Sequence, residues 1–198
     1  MVEKEIELTS IKIALLGDSM VGKSAICNTF IGLEFREESI STIGTEKCEK
    51  NLKLEGDKQM KIVLWDTAGQ ERFRSAGFKA IRSVHGVALV FAVDNEVSFK
   101  NVENWLENIK ENMDNPCLVL LGNKEDLPKE NWKVTQEEID EFCQKKKLVY
   151  YPTSAKENKG INEAFTYISN LVYERDKEIK QKNIKIGGPK PKMKKNCC

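Results

Sequence analysis

Residues 11–24 read Ile11-Lys12-Ile13-Ala14-Leu15-Leu16-Gly17-Asp18-Ser19-Met20-Val21-Gly22-Lys23-Ser24, and they are the strongest indication of how the chain folds. Its apolar first half is typical of a short buried strand, and the apolar spacing after Lys23 predicts a helix. The loop between them matches the pattern G-x-x-x-x-G-K-S. Backbone N–H groups of such a loop can surround phosphate groups, while Lys23 supplies a positive charge and the Ser24 hydroxyl can bind magnesium. The stretch therefore predicts a phosphate-binding site.

The rest of the chain alternates between apolar stretches typical of strands and amphipathic stretches typical of helices. The predicted strands are residues 11–16, 48–54, 60–65, 86–93, 117–121 and 148–151, and the predicted helices are residues 23–33, 98–113, 135–146 and a last one from 161. Gly56-Asp57 indicates a tight turn, which makes its two flanking strands an antiparallel hairpin. We expect an α/β, three-layer P-loop NTPase fold, with a six-stranded, mostly parallel sheet, one antiparallel strand and helices on both faces. Ligands bind such sheets at the carboxyl ends of the strands.

Length and composition are those of one soluble globular domain with a tail. The 198 residues suffice for one well-cored domain, and 40% hydrophobic with 32% charged residues is an ordinary balance. The first seven residues lack a secretory signal, and the apolar run 87–93 is far shorter than the roughly 20 residues that span a bilayer. Lysines and the Gly187-Gly188-Pro189 segment follow the last helix, so we expect a domain over residues 1–176 and a flexible basic tail over 177–198.

The six cysteines divide into two groups. Four are scattered without metal-ligand spacing, and we expect free thiols: Cys27, Cys48, Cys117 and Cys143. Cys197 and Cys198 are the last two residues and follow a cluster of lysines, Lys190, Lys192, Lys194 and Lys195. Stable membrane anchoring generally needs two signals, such as two lipid chains aided by basic residues. The tail therefore predicts reversible attachment to a membrane.

A second motif, Asp66-Thr67-Ala68-Gly69-Gln70-Glu71-Arg72-Phe73, lies at the end of a predicted strand. The Asp66 carboxylate can hold magnesium through water. Gly69 lets a backbone N–H approach the terminal phosphate without a Cβ in the way. Gln70 stands where an amide can orient an attacking water, which is a role of glutamine in phosphoryl transfer.

Two further motifs follow later strands and are suited to reading a base: Asn123-Lys124-Glu125-Asp126 and Thr153-Ser154-Ala155-Lys156. Guanine presents two adjacent N–H donors that the Asp126 carboxylate can accept together, whereas adenine places an acceptor at one of those positions. Adenine would leave a buried carboxylate unpaired there, which would weaken its binding free energy by about 1–3 kcal/mol or more. The N–H of Ala155 could contact the guanine carbonyl, so the motifs favour guanine.

These segments, in this order, resemble those of Ras-superfamily small GTPases, and Trp65 to Arg74 resembles the Rab branch in a divergent form. The resemblance covers residues 11–171. It implies that Thr42 reaches magnesium and the terminal phosphate, that Phe35 lies against guanine, and that Cys197 and Cys198 receive geranylgeranyl groups. The expected nucleotide-binding residues are Ser19, Met20, Val21, Gly22, Lys23, Ser24, Ala25, Phe35, Thr42, Gly69, Asn123, Lys124, Asp126, Ser154, Ala155 and Lys156; Ser24, Thr42 and Asp66 are the expected magnesium ligands and Gln70 the catalytic residue.

The resemblance implies a GTP/GDP-regulated switch that binds GTP with Mg²⁺, hydrolyses it slowly and recruits effectors in vesicle trafficking. Its expected partners are effectors, an exchange factor, a GTPase-activating protein, the prenylation machinery and a GDP-dissociation inhibitor. We expect a monomer, with no nucleic-acid partner, attached peripherally to the cytosolic face of endomembranes. Two alternatives stay open at this point: a nucleotide-bound scaffold that hardly cycles, and a phosphate-loop kinase or ATPase, which the residues 123–126 argue against.

Several residues depart from the family pattern. Met20 stands where relatives usually carry a small residue, and it either crowds an activating protein or points to solvent. Lys47 replaces an aromatic residue of an effector-contacting triad, so partner choice should differ, and Phe78-Lys79-Ala80-Ile81-Arg82 lacks the usual paired tyrosines. His85, Trp105 and Trp132 are interpreted as structural residues.

Overall fold

The computed structural model describes residues 10–37, 45–67 and 83–186. The strands are β1 (Ser10–Leu16), β2 (Thr45–Lys53), β3 (Gln59–Thr67), β4 (Gly86–Ala92), β5 (Cys117–Asn123) and β6 (Tyr150–Pro152). The α-helices are α1 (Lys23–Phe30), α2 (Glu96–Asn112), α3 (Gln136–Lys146) and α4 (Ile161–Ile186). Each predicted strand and helix is present, with bounds shifted by a few residues.

The strands form one six-stranded sheet in the order β2-β3-β1-β4-β5-β6. The β2–β3 pair is antiparallel, with Thr45 opposite Thr67 and Lys53 opposite Gln59, whereas the four other neighbouring pairs are parallel. The predicted α/β fold class, including its single antiparallel strand, is confirmed. The end of β3 and the loops after β1, β5 and β6 meet at the carboxyl edge of the parallel strands, where the described parts of the motifs lie.

Two apolar layers flank the sheet because successive residues of β1 face opposite sides. Ile13 packs into the layer beneath α1 and α4, whereas Ala14 packs into the layer beneath α2 and α3. The first layer includes Phe30 and Phe165, whose rings meet edge-on at 4.8 Å. Burial on both faces explains why residues 13–16 of β1 and the whole of β4 are continuously apolar rather than alternating.

Local signals set the helix ends. Thr135 and Glu138 form the predicted capping box at the start of α3. Helix α2 begins earlier than predicted because the Asn95 side chain caps it by accepting from the Ser98 N–H at 3.1 Å. Helix α1 ends before the predicted Leu33, since Gly32 adopts a φ of +90° and donates to the Thr29 carbonyl.

The last helix extends past the predicted start of the flexible tail. Helix α4 continues to Ile186, so the chain stays helical beyond residue 176. Lys177 pairs with Glu174, and Lys180 pairs with Asp176 at 2.8 Å, which are one-turn pairs that support a helix. The first helix-breaking residue after them is Gly187. The beginning of the predicted tail, residues 177–186, is therefore corrected to helix.

Some predictions fall outside the described residues: those on Thr42, Gly69, Gln70, residues 78–82 and the terminal cysteines. The four other cysteines are free thiols, as expected. Within the described ranges, no helix is both long and apolar enough to cross a membrane.

Candidate functional site

The loop between β1 and α1 adopts a conformation that requires glycine at two positions. Gly17 has a φ of +148°, and a Cβ there would lie 2.1 Å from the Val90 carbonyl oxygen of β4. Gly22, directly before α1, has a φ of +96°, and its Cβ would lie 2.2 Å from Nδ2 of Asn123. L-residues rarely adopt such angles. Both glycines of the motif thus permit close packing of the loop on neighbouring strands.

Lys23 lies across this loop as a buried cation. Its Nζ donates to the carbonyl oxygens of Gly17 at 2.9 Å and Asp18 at 2.7 Å, and the residue is 5% exposed. Burial lowers the pKa of Lys23 to about 8, and the negative charges of Asp66 and Asp18 oppose that shift. The loop therefore holds a positive charge in place with backbone groups, which leaves the ammonium suited to an anion.

Ser24 and Asp66 meet at the end of β3. The Ser24 hydroxyl donates to Oδ2 of Asp66 at 2.5 Å, and Asp66 is 3% exposed. Thr67, the next residue, donates from its hydroxyl to the Leu15 carbonyl at 2.7 Å and fixes the strand end against β1. Mg²⁺ prefers oxygen ligands such as hydroxyl and carboxylate groups, so these residues fit the expected metal.

Asn123 joins the phosphate loop to the loop after β6. Its Nδ2 donates to the Val21 carbonyl at 2.9 Å, and its Oδ1 accepts from the Ala155 N–H at 3.3 Å. Thr29 of α1 adds a second link by donating to the Ala155 carbonyl at 2.9 Å. Asn123 is 2% exposed. The structure thus shows Asn123 as a brace between loops, whereas its predicted contact with nucleotide stays a prediction.

Asp126 and Ser154 lie together at the other end of the site. The Ser154 hydroxyl donates to Oδ1 of Asp126 at 2.6 Å and accepts from the Glu157 N–H at 3.0 Å. Ser154 is fully buried, so its hydroxyl holds the carboxylate in one orientation. The carboxylate lines a cavity of about 220 Å³. This arrangement presents a fixed acceptor to a flat polar ligand.

The walls of this cavity include Phe35, Lys124, Asp126, Ala155 and Lys156. Lys124 has a φ of +68°, and its Nζ donates to Oδ2 of Asp94 at 3.0 Å. Lys156 forms an ion pair with Glu37 at 3.5 Å. Phe35 is 36% exposed and offers an aromatic wall. The structure therefore brings together the base-reading residues predicted from separate parts of the sequence.

The other predicted residues of the loop have different surroundings. Met20 is 69% exposed with a φ of +65°, so its side chain points to solvent. Ser19 is also exposed, whereas Val21 is buried and Ala25 packs against the core. Val21 and Ala25 therefore offer a ligand their backbone groups only.

Sequence reasoning missed a contact between Asp18 and α2. The Asp18 carboxylate accepts from Nε1 of Trp105 at 2.9 Å and from Nδ2 of Asn101 at 2.6 Å. The interpretation of Trp105 as a packing residue is correct but incomplete, since Trp105 is 4% exposed and also donates a hydrogen bond. The sequence did contain a signal for this contact. An acidic residue in a phosphate loop would repel bound phosphates, so its carboxylate is expected to have hydrogen-bond partners outside the loop.

The interpretation of His85 as structural agrees with its position. Its Nδ1 accepts from the Lys12 N–H at 2.9 Å, at the end of the sheet opposite to the site. Burial lowers the pKa of His85, which favours the neutral ring that accepts this bond. Lys47, which departs from the family pattern, holds its Nζ 4.1 Å from the centre of the Trp65 ring.

Fold and site together define a phosphate-loop nucleotide-binding protein, and comparisons with known proteins identify its family. The family model described as "Ras family" matches residues 12–174. The chain is similar to the Ras-related protein Rab-5B of Plasmodium falciparum, with 35% identity over 178 residues, which is 89% of this chain and 84% of the relative. It is 39% identical over 163 residues to the Ras-related protein YPTC6 of Chlamydomonas reinhardtii, which is 82% of this chain and 74% of that relative. The same identity over the same length relates it to the Ras-related protein Rab-11A of Dictyostelium discoideum, which is 82% of this chain and 75% of that relative.

The chain therefore belongs to the Ras family of small GTPases and, within it, to the Rab proteins. It is a GTPase that binds guanine nucleotide and acts as a switch in membrane trafficking, with regulators and effectors as its class of partner. The predicted family and function are confirmed. The kinase or ATPase alternative is wrong, and the non-cycling scaffold is not favoured.

Proposed function

We propose that the described site binds the triphosphate in the loop 17–24 and guanine in the cavity beside Asp126. The observation that carries this proposal is the Asn123 brace, whose two hydrogen bonds tie the phosphate loop to the Ala155 loop. One rigid side chain thus sets the distance between an anion-binding half and a base-binding half. Such preorganisation lowers the entropy cost of binding a ligand that contacts both.

Guanine selectivity follows from the Asp126 carboxylate. Oδ1 accepts from Ser154, which fixes the plane of the carboxylate beside the cavity. Its oxygens accept the two adjacent N–H donors of guanine. Ala155 lines the same cavity, and its N–H, which makes a long 3.3 Å bond to Oδ1 of Asn123, is proposed to be shared with the guanine carbonyl. Phe35 and the Lys124 stem enclose the faces of the ring. Adenine lacks this donor pattern and would place an acceptor against the carboxylate, which penalises its binding.

Magnesium is proposed to bind at Ser24 and Asp66, with Thr42 as a further ligand. An ion held by these residues would neutralise negative charge on the phosphate oxygens during hydrolysis. Lys23 contributes a fixed ammonium at the same end of the site, where it stabilises charge on the terminal phosphates. Hydrolysis adds water to the terminal phosphorus and breaks its bond to the bridging oxygen, giving GDP and phosphate. Gln70 is proposed to orient that water.

Intrinsic turnover is proposed to be slow and to rise when an activating protein supplies an arginine. The cations that line the described site are Lys23, Lys124 and Lys156, and each is already bonded within the protein. An arginine provided by a partner adds transition-state charge stabilisation worth about 10³–10⁵ in rate. Residues 35–44 and 69–77 are proposed to change order with the terminal phosphate and to present the surface that effectors read.

Binding is tested by titrating GDP and ADP, each with Mg²⁺, into the chain and into Asp126→Asn. We expect a strong preference of the wild-type chain for GDP and loss of that preference in the variant. The matched control Asp140→Asn changes an exposed carboxylate on α3 and should leave GDP binding unchanged. Equal affinity of the wild-type chain for GDP and ADP would contradict the proposal.

The role of Gln70 is tested separately by single-turnover GTP hydrolysis of Gln70→Leu. Loss of the amide should slow hydrolysis by about 10-fold or more while GTP affinity stays close to the wild-type value. Gln144→Leu, on the exposed face of α3, is the matched control. Unchanged turnover in Gln70→Leu would remove the assigned role.

We also propose that Cys197 and Cys198 carry two geranylgeranyl groups that attach the protein to the cytosolic face of endomembranes. Support comes from the sequence: the cysteine pair follows Lys190, Lys192, Lys194 and Lys195, and two lipid chains satisfy the requirement for stable anchoring. A GDP-dissociation inhibitor would then bind the lipidated tail and make attachment reversible. Mass spectrometry of the chain purified from its own cells should show both modifications, and unmodified cysteines would refute the proposal.

A further inference from the structure

Asp18 places a negative charge inside the loop that is proposed to bind phosphates. Its carbonyl oxygen, at 2.7 Å from Nζ of Lys23, belongs to the cradle of the ammonium. Its carboxylate is directed elsewhere: Oδ1 accepts from Nε1 of Trp105 at 2.9 Å, and Oδ2 accepts from Nδ2 of Asn101 at 2.6 Å. Both carboxylate oxygens are thus bonded to one helix, α2.

The two donors form a clamp that α2 holds in a fixed place. Asn101 and Trp105 are four residues apart, which puts them on the same face of the helix. Trp105 is 4% exposed, and Val102 and Ile109, on the same helix, are buried in the layer beneath the sheet. Because both donors are neutral, they orient the carboxylate without cancelling its charge.

The orientation of this carboxylate decides how its charge acts on a bound nucleotide. Donors of α2 hold both carboxylate oxygens, while the backbone carbonyl of the same residue accepts from Nζ of Lys23. Turned toward the phosphate site, the same charge would repel a di- or triphosphate. The clamp prevents this repulsion by keeping the carboxylate bonded to α2.

We propose that Asp18 is a positioning residue for nucleotide retention, and that Asn101 and Trp105 slow nucleotide release by holding its carboxylate away from the phosphates. This inference rests on the proposed binding of phosphates in the loop 17–24. It makes α2 an element that controls nucleotide exchange through one side chain of the loop. A change that shifts α2 relative to the loop releases the carboxylate and speeds the loss of GDP.

The test measures release of a fluorescent GDP analogue, with Mg²⁺ at neutral pH, from Trp105→Phe and Asn101→Ala. Trp105→Phe keeps an aromatic ring in the core while it removes the N–H donor. We expect release about tenfold faster in either variant, as for loss of one hydrogen bond to a charged group. The control Asn108→Ala, at a half-buried residue of the same helix whose amide bonds to the Asn104 carbonyl, should release at the wild-type rate.

A second variant separates charge from structural damage. Adding Asp18→Asn to Trp105→Phe removes the repelling charge, so release should return to within about twofold of the wild-type rate. If fast release persists in the double variant, the effect is structural and the inference is wrong. A wild-type release rate in both Trp105→Phe and Asn101→Ala would equally overturn it.

The clamp itself has a signature that does not require nucleotide. The indole N–H of Trp105, assigned from its loss in Trp105→Phe, should resonate downfield and exchange slowly with solvent in the wild-type chain. Asp18→Ala should shift this resonance and speed its exchange, and an unmoved resonance would overturn the clamp. If the resonance behaves as expected but the wild-type chain retains no GDP, the proposed phosphate site fails, and with it the role of the clamp in retention.

Discussion

Replacing Gly22 with alanine tests whether close packing, and not only backbone freedom, requires glycine in the phosphate loop. The added Cβ meets two separate obstacles. The φ of Gly22 is +96°, and the Cβ would lie 2.2 Å from Nδ2 of Asn123. Because this amide is the brace between the phosphate loop and the Ala155 loop, a clash here disturbs both halves of the site.

The two obstacles have separable magnitudes. A left-handed backbone costs an L-residue about 1–2 kcal/mol. Moving the Asn123 amide away breaks its 2.9 Å bond to the Val21 carbonyl, in a side chain that is 2% exposed. A buried polar group left unsatisfied costs about 1–3 kcal/mol. We therefore expect Gly22→Ala to lower the free energy of unfolding by about 2–5 kcal/mol.

Gly32→Ala is the matched control because only the first obstacle applies there. Gly32 has a φ of +90°, and a Cβ added to it would meet no neighbouring atom within 4 Å. This substitution should cost about 1–2 kcal/mol. The loss of unfolded-state entropy that alanine brings is the same at both positions and cancels in the difference.

The measurement is urea unfolding of both variants in the same excess of GDP, after subtraction of the stabilisation that follows from each measured Kd. Gly22→Ala should be the less stable variant by about 1–3 kcal/mol. In an Asn123→Ala background, the clash is absent and the two alanines should cost the same. Equal costs in the wild-type background would refute the packing argument.

Three further changes address other parts of the site. Met20→Gly relieves a φ of +65° at an exposed side chain and should raise the free energy of unfolding by up to about 1 kcal/mol in urea melts; a loss of stability would show that the contacts of the Met20 side chain outweigh this strain. Ser154→Ala frees the Asp126 carboxylate to rotate and should weaken GDP binding about tenfold in calorimetry, whereas the control Thr166→Ala, on α4, should bind GDP as the wild-type chain does. Because burial lowers the pKa of Lys23 to about 8, the ammonium is lost as pH rises through that value, so GDP affinity should fall between about pH 7 and about pH 9, and Lys23→Met should remove this dependence.

The fold was predictable because its signals are local. The apolar residues of β1 and β4, the turn at Gly56 and the capping box at Thr135 each indicate one element, and the alternation of elements indicates the parallel sheet. The end of α4 was not predictable from composition. Beyond residue 176, ion pairs between side chains one turn apart support the helix in a segment whose lysine-rich composition is typical of a tail.

The residues that form the site were predictable from the sequence, but the hydrogen bonds between them were not. Motif spacing placed Lys23, Asp126 and Ser154 at one edge of the sheet, since loops after parallel strands meet there. It did not show that Asn123 bonds to other loops with both ends of its amide, or that Asp18 is bonded to α2. Those contacts join residues about 30 to 100 positions apart, and only the folded chain brings them together.

The resemblance to Rab proteins implies an aromatic residue beside Trp65 at the position where this chain has Lys47. Lys47 lies opposite Trp65 in the β2–β3 register, and its Nζ covers the ring at 4.1 Å from the centre. A partner that packs an apolar side chain on Trp65 must displace this ammonium and lose a cation–π contact of about 0.5–1 kcal/mol. It must also leave the charge solvated or provide an acid for it. A partner with an acidic group at this position can instead form an ion pair with Lys47. We therefore expect the effectors of this chain to differ from those of Rab proteins that carry the aromatic triad.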